Sequence, residues 1–314
     1  MPPAVSSLRI PHCDLVVSLS HCVAKSARAP DGVPHICYCF TPMRYAWHQR
    51  QAYFNRDQAG SWRAWVVDRL LERLRQWDRK TAARVSRFVA ISRTVQKRIE
   101  ECYGRESEVI YPPVDTEFYS PGTRPRDDYY LVVSAFAPYK RVDLAITACN
   151  LLRRQLIVIG HGQDERRLRG IAGPTIHFLG WQSDDVVRDH LRRAQALLFP
   201  GEEDFGIVPV EAMACATPVI AFARGGATET VVPLGGPTPP DSVARSPTGI
   251  WFAESTKESL VAAIHGFERR AGEFHPRAIR QHALRFSRRR FEEEFFAYVY
   301  RILGSPSASA KKAA

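Results

Sequence analysis

The sequence predicts an α/β protein made of two units, each a parallel β-sheet covered by helices. Short apolar runs alternate with helix-length segments along nearly the whole chain, the pattern of βα units. The runs are continuous rather than alternating, as in strands buried on both faces. The length, 314 residues, suits two domains better than one, and 45% hydrophobic content can build two cores.

The first unit is read over 1–120. Apolar runs at 14–21 and 35–40 read as parallel strands, and 88–92 as a third. A helix follows at 93–103, then a run at 109–115 that leads into a linker, 116–128. Ahead of the third strand, Trp62, Trp65, Val66, Leu70, Leu74 and Trp77 recur at helical spacing. Arg63, Arg69, Arg73, Arg75 and Arg79 take other positions of that helix. Two readings stand. The helix lies on an anionic lipid surface, or it packs its stripe into the core and leaves a solvated basic face. Cys37 and Cys39 share a face of their strand, with no second pair or histidine at zinc spacing. Reduced thiols in a cytoplasmic protein are therefore expected.

The second unit is read over 121–288. Its strands are 130–134, 155–159, 176–181, 194–199 and 219–222. Helices at 144–152, 164–170, 184–194 and 206–214 alternate with them. Pro209 is tolerated in the last of these because it falls in the first turn, and Thr217-Pro218 ends that segment. Ligands of such sheets sit beyond the carboxyl ends of the strands. The loops 135–141, 160–163, 181–184, 201–206 and 224–229 lie at that edge. A closing helix is expected over 289–303, and a small, polar, disordered tail over 304–314.

The most informative corner runs F-P-G-E-E-D-F-G-I-V-P-V-E-A-M-A, from Phe199 to Ala214. Two carboxylates, Glu203 and Glu211, flank a strand–loop–helix turn with seven residues between them. The amides of Phe205, Gly206, Ile207 and Val208 open the helix, where the dipole is positive and a diphosphate can be held. The adjacent acids Glu202, Glu203 and Asp204 also admit a metal reading. Their side chains diverge and no second acidic cluster completes a shell, so no metal or other cofactor is expected.

This corner resembles the E-x7-E signature of the retaining glycosyltransferases of family 4. The resemblance implies a GT-B fold, two Rossmann-like domains facing a cleft. It also implies that Glu203 binds the donor sugar and Glu211 the nucleotide ribose. Pro138-Tyr-Lys140 matches the family's P-x-K, where the lysine neutralises the donor phosphate. The family's arginine just after the first strand is absent, with Ala135 in its place, and Arg141 is the compensating candidate. Gly225-Gly226-Ala-Thr-Glu229 matches the family's glycine pair before a glutamate, where the backbone comes close to the donor, and Gly162, in the Gly160-His-Gly162 end of the second strand, is a further donor-binding candidate. His21, at the end of the first strand, corresponds to a histidine near the donor sugar. The family's front-face mechanism uses the leaving phosphate to help deprotonate the acceptor, with no enzyme nucleophile.

The segments 38–47, 90–96 and 110–115 are similar to a bacterial subgroup, mostly mannosyl- or rhamnosyltransferases of O-antigen and exopolysaccharide assembly. Phe40 stands where the subgroup has histidine. The family's first strand and Gly-Gly loop do not precede residue 14. The resemblance therefore implies an N-terminal domain truncated by roughly 60–80 residues, at ~30 residues per βα unit. Weak or absent transfer by this chain is the corresponding expectation.

Net charge is +11, from 44 Lys plus Arg against 33 Asp plus Glu. A basic surface suits nucleic acid, anionic membrane or a phosphorylated substrate. No nucleic-acid motif accompanies it. No apolar run is long enough to span a membrane, and the start lacks a signal-peptide pattern. The expected function is transfer of a hexose, mannose-like favoured, from a GDP- or UDP-linked sugar to a lipid-linked or polysaccharide acceptor. The setting is cytoplasmic, with peripheral contact to the inner membrane face. The alternatives are another nucleotide-sugar enzyme such as an epimerase, or a nonenzymatic basic protein.

Overall fold

The computed structural model describes residues 5, 7, 8, 10–47, 61–237, 239 and 246–304, without the side chains of 61, 63 and 64. The tail expected to be disordered lies outside the described residues from 305 onward. The chain divides into two compact units. One is Met1–Pro112 with Phe291–Ala314, and the other is Pro113–Arg290.

The first unit is a four-stranded sheet in the order β1-β2-β3-β4. Its elements are β1 (Val16–Ser20), β2 (His35–Cys39), α1 (Arg44–Trp47), α2 (Ser61–Ala82), β3 (Arg87–Ala90), α3 (Arg93–Tyr103) and β4 (Ser107–Val109). All pairs are parallel, with Ser18 opposite Cys37 and Cys37 opposite Phe88. β2 is buried along its whole length, as its unbroken apolar run requires. β1 departs from that pattern. Val16, Ser18 and Ser20 point inward while Val17 and Leu19 are exposed. Ser92 caps α3 by accepting from the Val95 amide, and Gly104 ends it in the left-handed region. All seven cysteines are free thiols, Cys37 and Cys39 among the buried ones.

A buried ion pair, Lys25–Asp78, ties these layers together. Lys25 also donates to the Cys22 carbonyl at 2.9 Å. The other carboxylate oxygen of Asp78 accepts from Trp47 Nε1 at 3.0 Å and Tyr103 Oη at 2.8 Å. Both carboxylate oxygens that burial takes from water thus find donors. Arg75 and Arg79 extend the clamp, donating to the Ala46 and Cys102 carbonyls at 2.6 and 3.0 Å. The C-terminal helix, Arg288–Leu303, joins this unit from Phe291 onward. Tyr38 packs edge-on against Phe291 and Phe295, and Arg301 pairs with Glu108.

The second unit holds β5 (Tyr130–Val133), α4 (Val142–Leu152), β6 (Leu156–Ile159), α5 (Glu165–Gly170), β7 (Ile176–Gly180) and α6 (Asp184–Arg193). It continues with β8 (Leu197–Phe199), α7 (Ile207–Ala214), β9 (Val219–Phe222), α8 (Ala227–Thr230), β10 (Gly249–Phe252), α9 (Lys257–Arg269) and α10 (Pro276–Ala283). Six parallel strands run in the order β10-β9-β8-β5-β6-β7. From β5 the chain moves outward through β6 and β7. It then returns to the middle at β8 and moves the other way. The order therefore reverses between β5 and β8, and the crevice beyond their carboxyl ends is where a ligand of such a sheet belongs.

The division between units falls at Pro112/Pro113, earlier than the boundary expected at 120. Hydrogen bonds explain the difference. The Val114 amide donates to the Phe286 carbonyl at 2.8 Å. The Arg280 guanidinium donates to the carbonyls of Thr116, Tyr119 and Ala214 at 2.6, 2.7 and 2.9 Å. Further positions of the expected linker are likewise engaged. Arg126 donates to the Gln195 and Ala216 carbonyls, and Arg192 to the Ser120 carbonyl.

The Lys25–Asp78 pair generates a stability prediction. Lys25→Met leaves a buried carboxylate without its cation and is expected to cost ~3–5 kcal/mol. Lys25→Met combined with Asp78→Leu removes both charges and is expected to cost less than the single change. Urea denaturation followed by tryptophan fluorescence measures both, and a double variant weaker than the single one would contradict the account.

Candidate functional site

The reversal between β5 and β8 brings two loops side by side. After β5, a 3-10 turn, Pro138–Lys140, begins on a proline suited to its first position. After β8, Gly201 rests on that turn, where a side-chain carbon would lie 2.9 Å from the Lys140 Cα and carbonyl oxygen. This contact admits only glycine, and it brings the two loops together. Lys140 Nζ then meets Glu203 Oε1 at 2.5 Å, the side chains being 14% and 20% exposed. Two residues expected to touch the donor are thus partners of one another.

Arg141 sits in the left-handed region, at φ 52°. Its guanidinium donates to Ser255 Oγ at 2.6 Å and pairs with Asp143 at 3.3 Å. The structure therefore commits it to the segment after β10 and to the start of α4. The sequence reading did not anticipate these partners.

The glycines at this edge answer to the protein's own backbone. Gly225 and Glu203 form a parallel bridge, and the Gly226 amide donates to the Glu203 carbonyl at 2.8 Å. A side-chain carbon on Gly225 would lie 2.2 Å from the Glu203 oxygen, and one on Gly226 2.3 Å from Phe205. Gly160 and Gly162 pack as closely on the 134–136 segment. Three of these glycines, Gly162, Gly225 and Gly226, were expected to admit a donor. The contact that requires them is between loops.

Gly206 precedes α7 with φ 83°, and no side chain caps the helix. Phe205 is buried, its ring edge-on to Phe286 at 5.6 Å. Ile207 is exposed and Val208 half-buried. Glu229, in α8, is buried. Asp204 is buried and Glu203 is paired with Lys140. Among the described residues no three His, Cys, Asp or Glu side chains gather as a metal cluster.

A cleft of about 350 Å³ opens at the same edge. Val133, Ile159, Val187 and Val208 line it, with Tyr119, His161, Trp181, Gln182 and Asp184. Trp181 is 73% exposed at the end of β7, ready to offer a flat ring face. Glu211 lies one turn beyond Val208 on α7. Burial pushes its carboxyl from 4.5 up to about 7, helped by the Asp184 charge and opposed by the Tyr119 side chain. Sequence reasoning missed Tyr119, which it placed in a linker, and did not single out Trp181, although it put the loop 181–184 at the ligand-bearing edge. His21 follows β1 in the first unit and is exposed. Phe40 packs edge-on against Tyr38 at 5.6 Å, an apolar role that a ring without nitrogens can take.

Two parallel-sheet α/β units with a glycine-lined loop cluster at the switch point define the GT-B class. Solved structures agree in fold. Sucrose-phosphate synthase from Thermosynechococcus elongatus superposes with TM-score 0.73 at 17% identity, covering 92% of this chain and 73% of that one. Anabaena HepE in complex with UDP and glucose gives TM-score 0.65 at 17% identity, covering 85% and 71%. The family model described as Glycosyl transferases group 1 matches residues 114–282, more than half of the chain. That described as Glycosyltransferase Family 4 matches residues 7–118. The chain belongs to the group 1 glycosyl transferase family, with a family 4 N-terminal segment. An uncharacterized glycosyltransferase of Methanocaldococcus jannaschii is 32% identical over 152 residues, 46% of this chain and 42% of that protein. A GDP-mannose-dependent monoacylated alpha-(1-6)-phosphatidylinositol monomannoside mannosyltransferase of Corynebacterium glutamicum is 30% identical over 194 residues, 52% of this chain and 51% of it. The chain thus spans about half the length, or less, of these curated relatives.

Two predictions follow from the geometry. Gly225→Ala combines a strained φ of 64° with a clash on Glu203, and is expected to destabilise by about 2 kcal/mol or more. Gly104→Ala has a similar φ of 62° but open space around it, and should cost only ~1 kcal/mol. Thermal unfolding of the two variants separates strain from clash, and equal losses would contradict the loop contact.

The second concerns pH. Glu211 has a raised folded-state pKa, so its contribution to stability is full below its ordinary 4.5 and lost as pH rises through about 7. Glu211→Gln stays neutral throughout. Between about pH 5 and about pH 8 the parent chain should lose stability relative to this variant, by on the order of 2 kcal/mol. Denaturation curves running parallel across that window would show that Glu211 is not the titrating group.

Proposed function

We propose that this chain is a retaining glycosyltransferase that moves a hexose from a nucleoside diphosphate sugar to a hydroxyl of a lipid-linked or polysaccharide acceptor. One observation carries the reading. The cation and the carboxylate that a diphosphate sugar needs pair with one another at the switch point of the second unit's sheet. In this reading the donor diphosphate takes Lys140 and the sugar hydroxyls take Glu203, exchanging one ion pair for two charge-assisted contacts. The uncapped start of α7 adds backbone donors and a positive dipole end for the developing phosphate charge.

Glu211 accepts from the ribose hydroxyls, and the neighbouring cleft with Trp181 receives the base. Gly162, Gly225, Gly226 and Glu229 hold the donor loops in place, and Arg141 fixes the turn that bears Lys140. Glu203 is engaged by a cation, which suits sugar recognition better than nucleophilic attack. The reaction is accordingly front-face, with the leaving phosphate assisting deprotonation of the acceptor hydroxyl. A mannose-like sugar on GDP is favoured by the mannosyltransferases among the relatives. UDP is supported by the neighbour bound to it. The seven free thiols suit a reducing cytoplasm.

Glu211→Ala should weaken GDP or UDP binding by about 1.5–3 kcal/mol, roughly tenfold to a hundredfold in Kd. Glu203→Ala and His21→Ala should chiefly lower turnover. Binding and transfer should survive EDTA. Calorimetry with each nucleoside diphosphate, beside a transfer assay on a polyprenyl-linked acceptor, measures all of these. Equal affinity losses in the Glu203 and Glu211 variants would refute the division of roles, and restoration by manganese after EDTA would revive a metal site.

A further inference from the structure

A second cavity lies at the other end of α6 from the switch-point cleft. Asp184 opens that helix and lines the cleft, whereas Asp189, Arg192 and Arg193 near its close line the cavity. Ten residues at about 1.5 Å each put roughly 15 Å between the two ends. The facing wall is the loop of Gly122, Thr123 and Arg124. The loop leads into β5 and α6 into β8, so the cavity belongs to the amino edge of the sheet, opposite the loops already described. It holds about 240 Å³, and its lining is three arginines, one aspartate, a threonine and a glycine.

The fold holds two of these arginines in place. Arg192 donates to the Ser120 carbonyl and hydroxyl at 2.6 and 3.0 Å, and to Asp189 at 3.3 Å. A side-chain carbon on Gly122 would lie 3.2 Å from Arg192 Cδ, so the loop rests on that arginine's stem. Arg193 donates twice to one oxygen of Asp127, from Nε at 2.7 Å and from Nη2, which leaves Nη1 over. The next cation, Arg188, is turned to Phe118 at 4.3 Å and to Asp185 at 2.8 Å. Arg124 is exposed and has no partner among the described residues. The amides of 122–124 and the Thr123 hydroxyl likewise have none among the described residues.

The cavity therefore presents unused donors, while its one carboxylate, Asp189, already accepts from Arg192. A ligand that fits brings a negative charge and several acceptor oxygens. Guanidinium forks match the oxygens of phosphate. The volume falls below the roughly 300–1,000 Å³ of pockets that bury drug-sized ligands, which suits a phosphate on a small organic group rather than a nucleotide. The α6 dipole is negative at this end and opposes an anion. Attraction must then come from the arginines, and above all from the unpaired Arg124.

We propose that this cavity is a second phosphate site, taking the phosphate monoester of a small molecule. Arg124, Arg193 Nη1 and the 122–124 amides donate to it, and Arg192 holds the loop that carries them. The inference rests on none of the residues assigned to the transfer reaction.

Calorimetric titration of the full chain with glycerol 3-phosphate and, separately, with inorganic phosphate tests it at fixed ionic strength. Both are expected to bind, with the ester tighter. Arg124→Gln should weaken binding of the ester roughly tenfold, and Arg124→Glu should abolish it. Lys140→Gln, at the opposite edge, should leave it in place. Arg192 is kept, because its loss would release the loop. Thermal unfolding of the Arg124 variants should match the parent chain, since that side chain holds no other part of the fold. Absence of binding by either ligand, binding of inorganic phosphate alone, or undiminished binding by Arg124→Glu would overturn the proposal. So would binding that Lys140→Gln removes, since that would place the phosphate at the switch point.

Discussion

The backbone of Glu203 and Phe205 lies too close to Gly225 and Gly226 for any side chain to stand between them, and much of the second unit's carboxyl edge depends on that contact. It fuses the loop after β8 with the loop after β9 through a bridge and an amide–carbonyl bond. Gly201 makes the equivalent contact with Lys140 after β5. Three loops that sequence scatters widely are thereby fixed as one surface. Irregular backbone is costly to bury unless its polar groups are paired. Here the Gly226 amide pairs with the Glu203 carbonyl between two of the loops.

The charges follow from that shape. Lys140 and Glu203 are partly shielded from water and pair at 2.5 Å. A pair in that position is worth more than one on an open surface and less than its Coulomb energy, because both groups lose hydration. It is therefore well matched to exchange with a ligand that brings its own anion and hydroxyls. Glu211 experiences the opposite balance. Burial and Asp184 oppose its ionisation and push the carboxyl up to about 7. Arg280 links this chemistry to the domain boundary, since the same guanidinium holds the Tyr119 carbonyl and the end of α7.

Much of this was legible in the sequence for physical reasons. Continuous apolar runs marked the buried strands, and the turn at Phe199–Gly206 carried its own loop chemistry. Periodicity does not encode what depends on the third dimension. The segment 116–128 lacks helix or strand pattern because its order comes from partners far along the chain: Arg192 and Arg280 donate to its carbonyls, and its own Arg126 donates to those of Gln195 and Ala216. Tyr119 was invisible for that reason. The glycines were rightly singled out as sites of close approach, but sequence does not say what approaches. The stripe on α2 was ambiguous because helical spacing gives a direction without naming the side that faces the core. Burial of Leu71 and Asp78 decides it.

The central claim is that the switch-point edge of the second unit is a nucleoside diphosphate site. Amide hydrogen exchange with and without GDP or UDP tests it most directly. The account predicts slowed exchange in the loops 134–141, 160–162, 181–184, 201–208 and 225–229, with Tyr119 beside them. Saturating nucleotide that binds while leaving those loops unprotected, or that protects the first unit alone, would contradict it.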